Sequence, residues 1–133
     1  MIKLQENVCA CAATPCQYAG VEALEGSPRN APGTIWSNSP IRRDYVMERI
    51  KGIPGLSCHT PGGTFYAFID IQALGMSSEE FAIKLLEAEQ VVIVPGSAFG
   101  EFGEGYIRLS YAASMEDLRQ GLDKIEAFVR SLR

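Results

Sequence analysis

The sequence predicts an α+β domain in which helices flank a small, mostly antiparallel sheet. From Pro40 onward the predicted elements run helix, strand, strand, helix, strand, strand, helix, an order that favours this layered class. The first two strands are separated only by a Pro-Gly-Gly turn, as in a hairpin. A length of 133 residues with 47% hydrophobic residues suits one domain of ordinary size.

The N-terminal segment, residues 1–26, predicts one short helix. Thr14 provides an N-cap, Pro15 suits the first turn, and Gly26 ends the helix. Because one short helix cannot bury an apolar stripe alone, we expect it to dock on the rest of the chain or on another chain. The stripe comprises Tyr18, Val21 and Leu24.

Residues 27–39 have the composition of a linker, with prolines and a glycine where a helix or central strand would be interrupted. Ser39 and Pro40 then repeat the pattern of a cap followed by proline. The helix that they begin is expected to run to about Lys51 and to end at Gly52.

The next segment predicts a hairpin followed by a helix. Residues 56–60 and 64–71 are the two strands, the second rich in aromatic and β-branched residues. Ser77 and Glu80 have the spacing of a capping box, so a helix is expected from Ser77 to about Ala88.

The stretch from Val91 to Ala112 predicts a buried strand ending at Pro95, a glycine-rich loop and a second strand over Tyr106–Tyr111. Ser114 caps the last helix, whose apolar residues recur at helical spacing. They are Leu118, Leu122, Ile125, Phe128, Val129 and Leu132.

Charge and hydropathy exclude several classes of partner. The net charge is −4 with a pI near 5.0 and no basic run, so nucleic acid is not an expected partner. No apolar run approaches the roughly 20 residues that span a bilayer, and the N-terminus lacks the pattern of a signal peptide. We therefore expect a cytoplasmic chain without a membrane partner.

The four cysteines are Cys9, Cys11, Cys16 and Cys58. They lack the paired spacing of a zinc site, and His59 is the only histidine that could complete one. Structural thiols without a metal are the expected interpretation. Cys58 and His59 are adjacent strand residues that point to opposite faces, which disfavours a nucleophilic pair.

Arg108 is the principal candidate for a binding residue. Alternation along its strand places Tyr106, Arg108 and Ser110 on one face and the apolar residues on the other. A guanidinium presents a planar fork that matches a carboxylate. The alternative from patterning alone is an arginine on the solvated face of a strand.

The loop that begins at Pro95 and Gly96 offers a second candidate. Glycines allow a backbone to approach a ligand closely, although a simple connection between strands explains them equally well. The loop is not a phosphate-binding P-loop, because no lysine follows its glycines. Glu101 and Glu104 are expected to be solvated rather than to act as acid or base.

Several motifs together resemble class I/II pyridoxal-phosphate aminotransferases of the aspartate aminotransferase type. The resemblance covers nearly the whole chain apart from the linker. It is carried by Val92-Ile93-Val94-Pro95-Gly96-Ser97-Ala98-Phe99-Gly100, Glu104-Gly105-Tyr106-Ile107-Arg108-Leu109-Ser110-Tyr111-Ala112, Arg42-Arg43-Asp44-Tyr45, Pro61-Gly62-Gly63-Thr64-Phe65-Tyr66 and Leu4-Gln5-Glu6-Asn7.

The resemblance implies that Arg108 binds the α-carboxylate of an amino acid or 2-oxo acid substrate, and that Asn7 and Gly96 lie near the active site. It also implies that residues 1–26 end a large cofactor domain and that residues 40–133 form the small domain of a homodimer. Pyridoxal phosphate would be the cofactor of the parent enzyme.

The same resemblance implies that part of the catalytic apparatus is absent. The family's Schiff-base lysine lies in a Ser-x-x-Lys context, which none of Lys3, Lys51, Lys84 and Lys124 has. We therefore expect a C-terminal fragment that is inactive alone, does not itself hold the cofactor, and self-associates or docks on a missing large domain. The alternatives are a freestanding module that binds small carboxylates or amino acids, and a truncated product without activity.

Overall fold

The computed structural model describes residues 11–25 and 35–132, with side chains described from Ser39 onward in the second range. The chain divides between Ser37 and Asn38 into two compact units. In the described part of the first unit, helix α1 spans Thr14–Glu25, as the sequence predicts. None of its residues is buried, and Tyr18 and Leu24 of the apolar stripe are 72% and 89% exposed.

The remaining elements continue in the predicted order. The strands are short and the helices longer, as is common in a small α+β domain. The elements are α2 (Ile35–Lys51), β1 (Ser57–Cys58), β2 (Tyr66–Asp70), α3 (Ser78–Glu89), β3 (Val94–Pro95), β4 (Tyr106–Ser110) and α4 (Met115–Ser131).

The four strands form one sheet in the order β1-β2-β4-β3, and every neighbouring pair is antiparallel. The longest pairing joins β2 to β4, with Phe68 directly opposite Arg108. On the other side of β4, Val94 of β3 also lies opposite Arg108. The predicted α+β class with an antiparallel sheet is confirmed.

One face of this sheet is covered and the other is open. Ala67 and Ile69 of β2 and Ile107 and Leu109 of β4 are buried on the covered face. Burial alternates along β4 as predicted, with Tyr106, Arg108 and Ser110 on the opposite side from the core. The helices contribute most of the other core residues, among them Val46, Ile50, Phe81, Leu85, Leu118, Leu122, Ile125, Phe128 and Val129.

Two of the helices begin at the predicted serine caps. The Ser77 Oγ accepts a hydrogen bond from the Glu80 N–H at 3.1 Å, and the Ser114 Oγ accepts one from the Asp117 N–H at 3.0 Å. Each such cap stabilises a helix by about 1 kcal/mol, because it satisfies a donor that has no partner within the helix. No helix among the described residues is long and apolar enough to cross a membrane.

Helix α2 begins earlier than predicted, at Ile35 instead of Ser39, so residues 35–39 of the predicted linker are helical. Pro40 therefore lies inside the helix. Because proline has no N–H, the hydrogen bond to the carbonyl four residues earlier is missing, and only five helical residues precede this gap. Residues 26–34, the remainder of the linker with the predicted stop at Gly26, lie outside the described residues.

The predicted buried strand before Pro95 is also wrong in extent. Only Val94 and Pro95 pair in the sheet, and Val92 is 80% exposed. β3 is an edge strand, the position in a sheet where proline is tolerated because it has no N–H to donate. Of the five residues from Val91 to Pro95, only Ile93 is buried, so the apolar run predicts more burial than the structure shows.

Candidate functional site

Arg108 lies in the middle of β4, on the sheet face opposite the core. Its side chain is half-buried. Cross-strand neighbours on both sides, Phe68 and Val94, are apolar, so the guanidinium projects from an apolar surface. The sequence predicts this face from alternation alone, but it does not predict which side chains surround the arginine.

Two aromatic rings contact the Arg108 guanidinium. Its Cζ lies 4.2 Å from the ring centroid of Tyr66 and 4.5 Å from that of Phe99. A guanidinium over the face of a ring is attracted by the ring quadrupole. Tyr66 belongs to β2, whereas Phe99 belongs to a 3₁₀ turn that follows β3, so distant segments meet at this arginine.

Two further rings extend this surface. Phe68 stacks on Tyr106 with a centroid distance of 5.2 Å and an interplanar angle of 12°, and it meets Phe99 edge-on at 6.2 Å. We call Tyr66, Phe68, Phe99 and Tyr106 the aromatic cluster. It surrounds Arg108 with apolar groups on the open face of the sheet.

The hydrogen-bond donors of Arg108 have no protein acceptor among the described residues. Within the described part of the chain, the Arg108 side chain contacts the rings of Tyr66 and Phe99. Arg49 shows the contrast, because its Nη2 donates to Asp123 at 2.7 Å and to Glu126 at 3.1 Å. Within the described ranges, the Arg108 guanidinium therefore has aromatic neighbours where Arg49 has carboxylates.

A groove of about 490 Å³ is lined in part by three members of the aromatic cluster, Tyr66, Phe68 and Tyr106, although Arg108 itself does not line it. It has a mainly apolar lining with a few polar groups, the usual character of a ligand cleft. Its lining residues are Ser57, Cys58, His59, Pro61, Tyr66, Phe68, Asp70 and Tyr106.

Cys58 and His59, at the rim of this groove, do not form a nucleophilic pair. The Cys58 Sγ lies within hydrogen-bond distance of two backbone carbonyls, 3.2 Å from that of Phe68 and 3.3 Å from that of His59, and its single S–H can donate to them. Burial raises the pKa of this thiol, which disfavours the thiolate form that a nucleophile requires. Among residues 11–25 and 35–132, no cluster of His, Cys, Asp and Glu could hold a metal ion.

The glycine-rich loop folds back on itself. A Cβ on Gly103 would lie 2.0 Å from the Gly96 carbonyl oxygen, and one on Gly96 would lie 2.1 Å from the Gly103 carbonyl oxygen. These glycines therefore permit two turns of the same loop to touch, which is a structural reason for their presence. That Gly96 also lies near an active site stays a prediction, and Asn7 lies outside the described residues.

Glu104 has a specific partner, contrary to the expectation of simple solvation. Its carboxylate accepts hydrogen bonds from the Ser78 N–H at 2.8 Å and the Ser78 hydroxyl at 2.9 Å. The Ser78 Oγ accepts a third bond, from the Ser97 N–H at 3.4 Å. These bonds lower the pKa of Glu104 and join the loop to the first turn of α3. Sequence spacing does not reveal the pair, because 26 positions separate the residues.

Thr64, just before β2, adopts a positive φ of 63°, which is rare for a β-branched residue. Its carbonyl accepts a hydrogen bond from the Tyr111 hydroxyl at 3.0 Å, and its Oγ1 accepts one from the Tyr66 N–H at 3.1 Å. The sequence predicts the turn at the preceding Pro-Gly-Gly, but no local pattern predicts the positive φ of Thr64.

The described lysines do not fit the anchoring role that pyridoxal phosphate requires. Lys84 pairs with Glu80 at 2.6 Å, and Lys124 donates to the Glu89 carbonyl at 2.8 Å, both at the surface of helices. Lys51 is exposed at the end of α2, and none of the described lysines lines the groove. The residues described therefore do not form a pyridoxal-phosphate site.

Comparison with known proteins shows which family this chain resembles. The family profile for class I and II aminotransferases matches residues 1–125. The aspartate aminotransferase of Pyrococcus horikoshii is 42% identical over 127 residues, which are 95% of this chain and 32% of that protein.

Solved structures agree with this match. The crystal structure of an aromatic aminotransferase from Pyrococcus horikoshii OT3 superposes with a TM-score of 0.86 at 35% identity, covering 99% of this chain and 36% of that one. A PLP-bound structure from Clostridium difficile 630 has a TM-score of 0.68 at 28% identity, covering 71% of this chain and 25% of that one.

The chain spans about a third of the length of the curated relatives it matches. The matched residues include every strand of the sheet, and they include Arg108 with the rings that contact it. The profile match, the sequence relatives and the solved structures all agree on one assignment. The chain belongs to the class I and II aminotransferase family.

Proposed function

We propose that this chain supplies the substrate-carboxylate-binding part of an aminotransferase, an enzyme that transfers an amino group between an amino acid and a 2-oxo acid. The observation that carries the proposal is the Arg108 guanidinium, which is held against two rings and has no protein acceptor among the described residues. A planar fork of this kind binds a carboxylate through two parallel N–H···O bonds.

Amino and oxo acids share a carboxylate next to the reacting carbon, so one arginine can hold both substrates in turn. Tyr66 and Phe99 cover part of the half-buried Arg108 side chain, and a lower local dielectric strengthens a charge-assisted hydrogen bond to a bound carboxylate. Pyridoxal phosphate supplies the carbanion stabilisation in this family. Groups other than those described would hold it.

The proposal includes the division of the chain inferred from the sequence. Residues 40–133 would be the aminotransferase small domain and residues 1–26 the end of the large domain. Residues 27–39 would link them, although the last five of these residues are helical and continue into α2. We expect the chain to work in a cytoplasmic homodimer or docked on a large domain, and to show no turnover alone with pyridoxal phosphate and an amino acid/oxo acid pair.

Calorimetric titration of the chain with succinate, and with its neutral analogue succinamide, tests the role of Arg108. We expect succinate to bind with millimolar affinity and succinamide not to bind, since a single guanidinium supplies the main charge. Arg108→Gln should abolish it, whereas Arg119→Gln, which removes an exposed arginine of α4, should not. Equal binding of both ligands, or full binding by Arg108→Gln, would refute the proposal.

The same titration distinguishes the alternative of a freestanding carboxylate-binding module. The observation that favours this alternative is that Tyr66 both contacts Arg108 and lines the groove, which could hold the rest of a small ligand. A complete binding site would give micromolar affinity that depends on Arg108, whereas one part of a larger active site would give only millimolar affinity.

A further inference from the structure

We propose that Tyr66 and Phe99 are positioning residues that orient the Arg108 guanidinium for its carboxylate. The inference rests on the proposed function, because the two rings act through Arg108 and not on the ligand itself. Both rings lie within 4.5 Å of the Arg108 Cζ, measured to their centroids.

The geometry restricts how a ligand can approach. The N–H groups of a guanidinium point outward in its plane, whereas its two faces carry no donors. Tyr66 and Phe99 pack against the Arg108 guanidinium, and neither accepts a hydrogen bond from it, so its N–H groups have no acceptor among the described residues. An arginine restrained in this way has lost rotamer freedom before the ligand arrives, which reduces the entropic cost of binding.

The first ring is held by a strained turn. Thr64 has a φ of 63°, and the hydroxyl of the buried Tyr111 donates to its carbonyl at 3.0 Å. Thr64 Oγ1 in turn accepts from the Tyr66 N–H at 3.1 Å. Backbone strain persists where surrounding contacts impose it. These two hydrogen bonds hold Thr64 in its strained conformation and so fix the start of the strand that carries Tyr66.

The second ring is held by the glycine-rich loop. Phe99 ends the 3₁₀ turn Gly96–Phe99, whose Ser97 N–H donates to Ser78 at 3.4 Å. Ser78 is fully buried and donates to Glu104 on the far side of the loop. The two rings thus have independent supports that converge on one guanidinium.

Phe102 provides a matched control. It lies in the next 3₁₀ turn of the same loop, Glu101–Gly103, and it is 91% exposed. Among the described residues it makes no ring contact with Arg108 or with the aromatic cluster. A substitution there changes the apolar character of the loop without touching the arginine.

The test follows the Arg108 side chain by NMR in the full 133-residue chain during titration with succinate. Ring currents should shift the Arg108 side-chain protons upfield in the wild type, and Arg108→Gln assigns the signal. Tyr66→Leu and Phe99→Leu should each remove part of this shift and weaken succinate binding about two- to fivefold. Phe102→Leu should alter neither the upfield shift nor the affinity for succinate. Tyr66→Phe, which keeps the ring, should retain the wild-type value of both.

The outcomes separate the two proposals. If succinate binds through Arg108 with the same affinity in the wild type, Tyr66→Leu and Phe99→Leu, the positioning role is wrong and the proposed function stands. If succinate does not perturb Arg108 in the wild type, the proposed function fails and the positioning role falls with it. Amide spectra of each variant exclude unfolding as the cause of lost binding.

Discussion

Two arginines of this chain differ in the side chains that surround their guanidinium groups. Arg49 of α2 donates to two carboxylates of α4, Asp123 and Glu126, and so ties two helices together. Arg108 has aromatic rings where Arg49 has acids. Ring contacts do not satisfy hydrogen-bond donors, so we propose that Arg108, unlike Arg49, binds a ligand.

At the residue scale, the Glu104 carboxylate should make stability depend on pH. Its hydrogen bonds to Ser78 lower its pKa in the folded state, so its contribution is complete above the unfolded-state pKa and is lost as pH falls through the folded-state pKa. We expect Glu104→Gln to lower the melting temperature at pH 7 and to differ less from wild type near pH 3. Melting curves for Glu101→Gln, a neighbouring exposed acid, provide the control. A difference between Glu104→Gln and wild type that is unchanged across this range would contradict the assignment.

At the scale of elements, local signals were predictable and long-range ones were not. The caps at Ser77 and Ser114 span three residues, so the sequence displays them directly. The face that carries Arg108 follows from strand alternation, which is also local. The rings around it could not be predicted, because Tyr66 and Phe99 reach it only after β2, β4 and the loop have come together.

The wrong predictions at this scale have different causes. Pro40 looked like a helix start, yet it is tolerated inside α2 because so few intrahelical bonds precede it. Val92 looked buried because an apolar run does not distinguish an edge strand from a central one. The link from Ser78 to Glu104 joins two elements far apart in sequence and leaves no periodic signature.

Two glycines should respond to alanine in opposite directions. Gly103→Ala should destabilise the fold by about 1–3 kcal/mol, because its Cβ would lie 2.0 Å from the Gly96 carbonyl oxygen. Gly121→Ala in α4 meets nothing within 4 Å and should stabilise by about 0.5–1 kcal/mol through helix propensity. Urea unfolding measures both; a stable Gly103→Ala would mean that the two turns do not touch in solution.

At the scale of the whole molecule, both units expose large apolar side chains. In α1 these are the stripe residues, and in the second unit Phe99 and Phe102 are 51% and 91% exposed. Exposed apolar patches commonly mark interaction surfaces. The docking or self-association that we propose would cover such surfaces.

We therefore expect the isolated chain to self-associate as its concentration rises. Sedimentation should detect this, and Val21→Ser combined with Leu24→Ser should reduce it by removing part of the α1 stripe. Glu22→Ser, at an exposed polar position of the same helix, is the control. A monomer at every concentration, with no binding of a hydrophobic dye, would count against an exposed docking surface.

The most direct test of the central claim is a chimera. The 127 matching residues of the Pyrococcus horikoshii aspartate aminotransferase are replaced by those of this chain, and transamination of L-aspartate is measured. Arg108→Gln should lower kcat/KM about 10- to 100-fold, the cost of losing charge-assisted hydrogen bonds to a substrate carboxylate, while Arg119→Gln should leave it unchanged. Equal kcat/KM for the chimera with and without Arg108 would contradict the assignment of this arginine to the substrate.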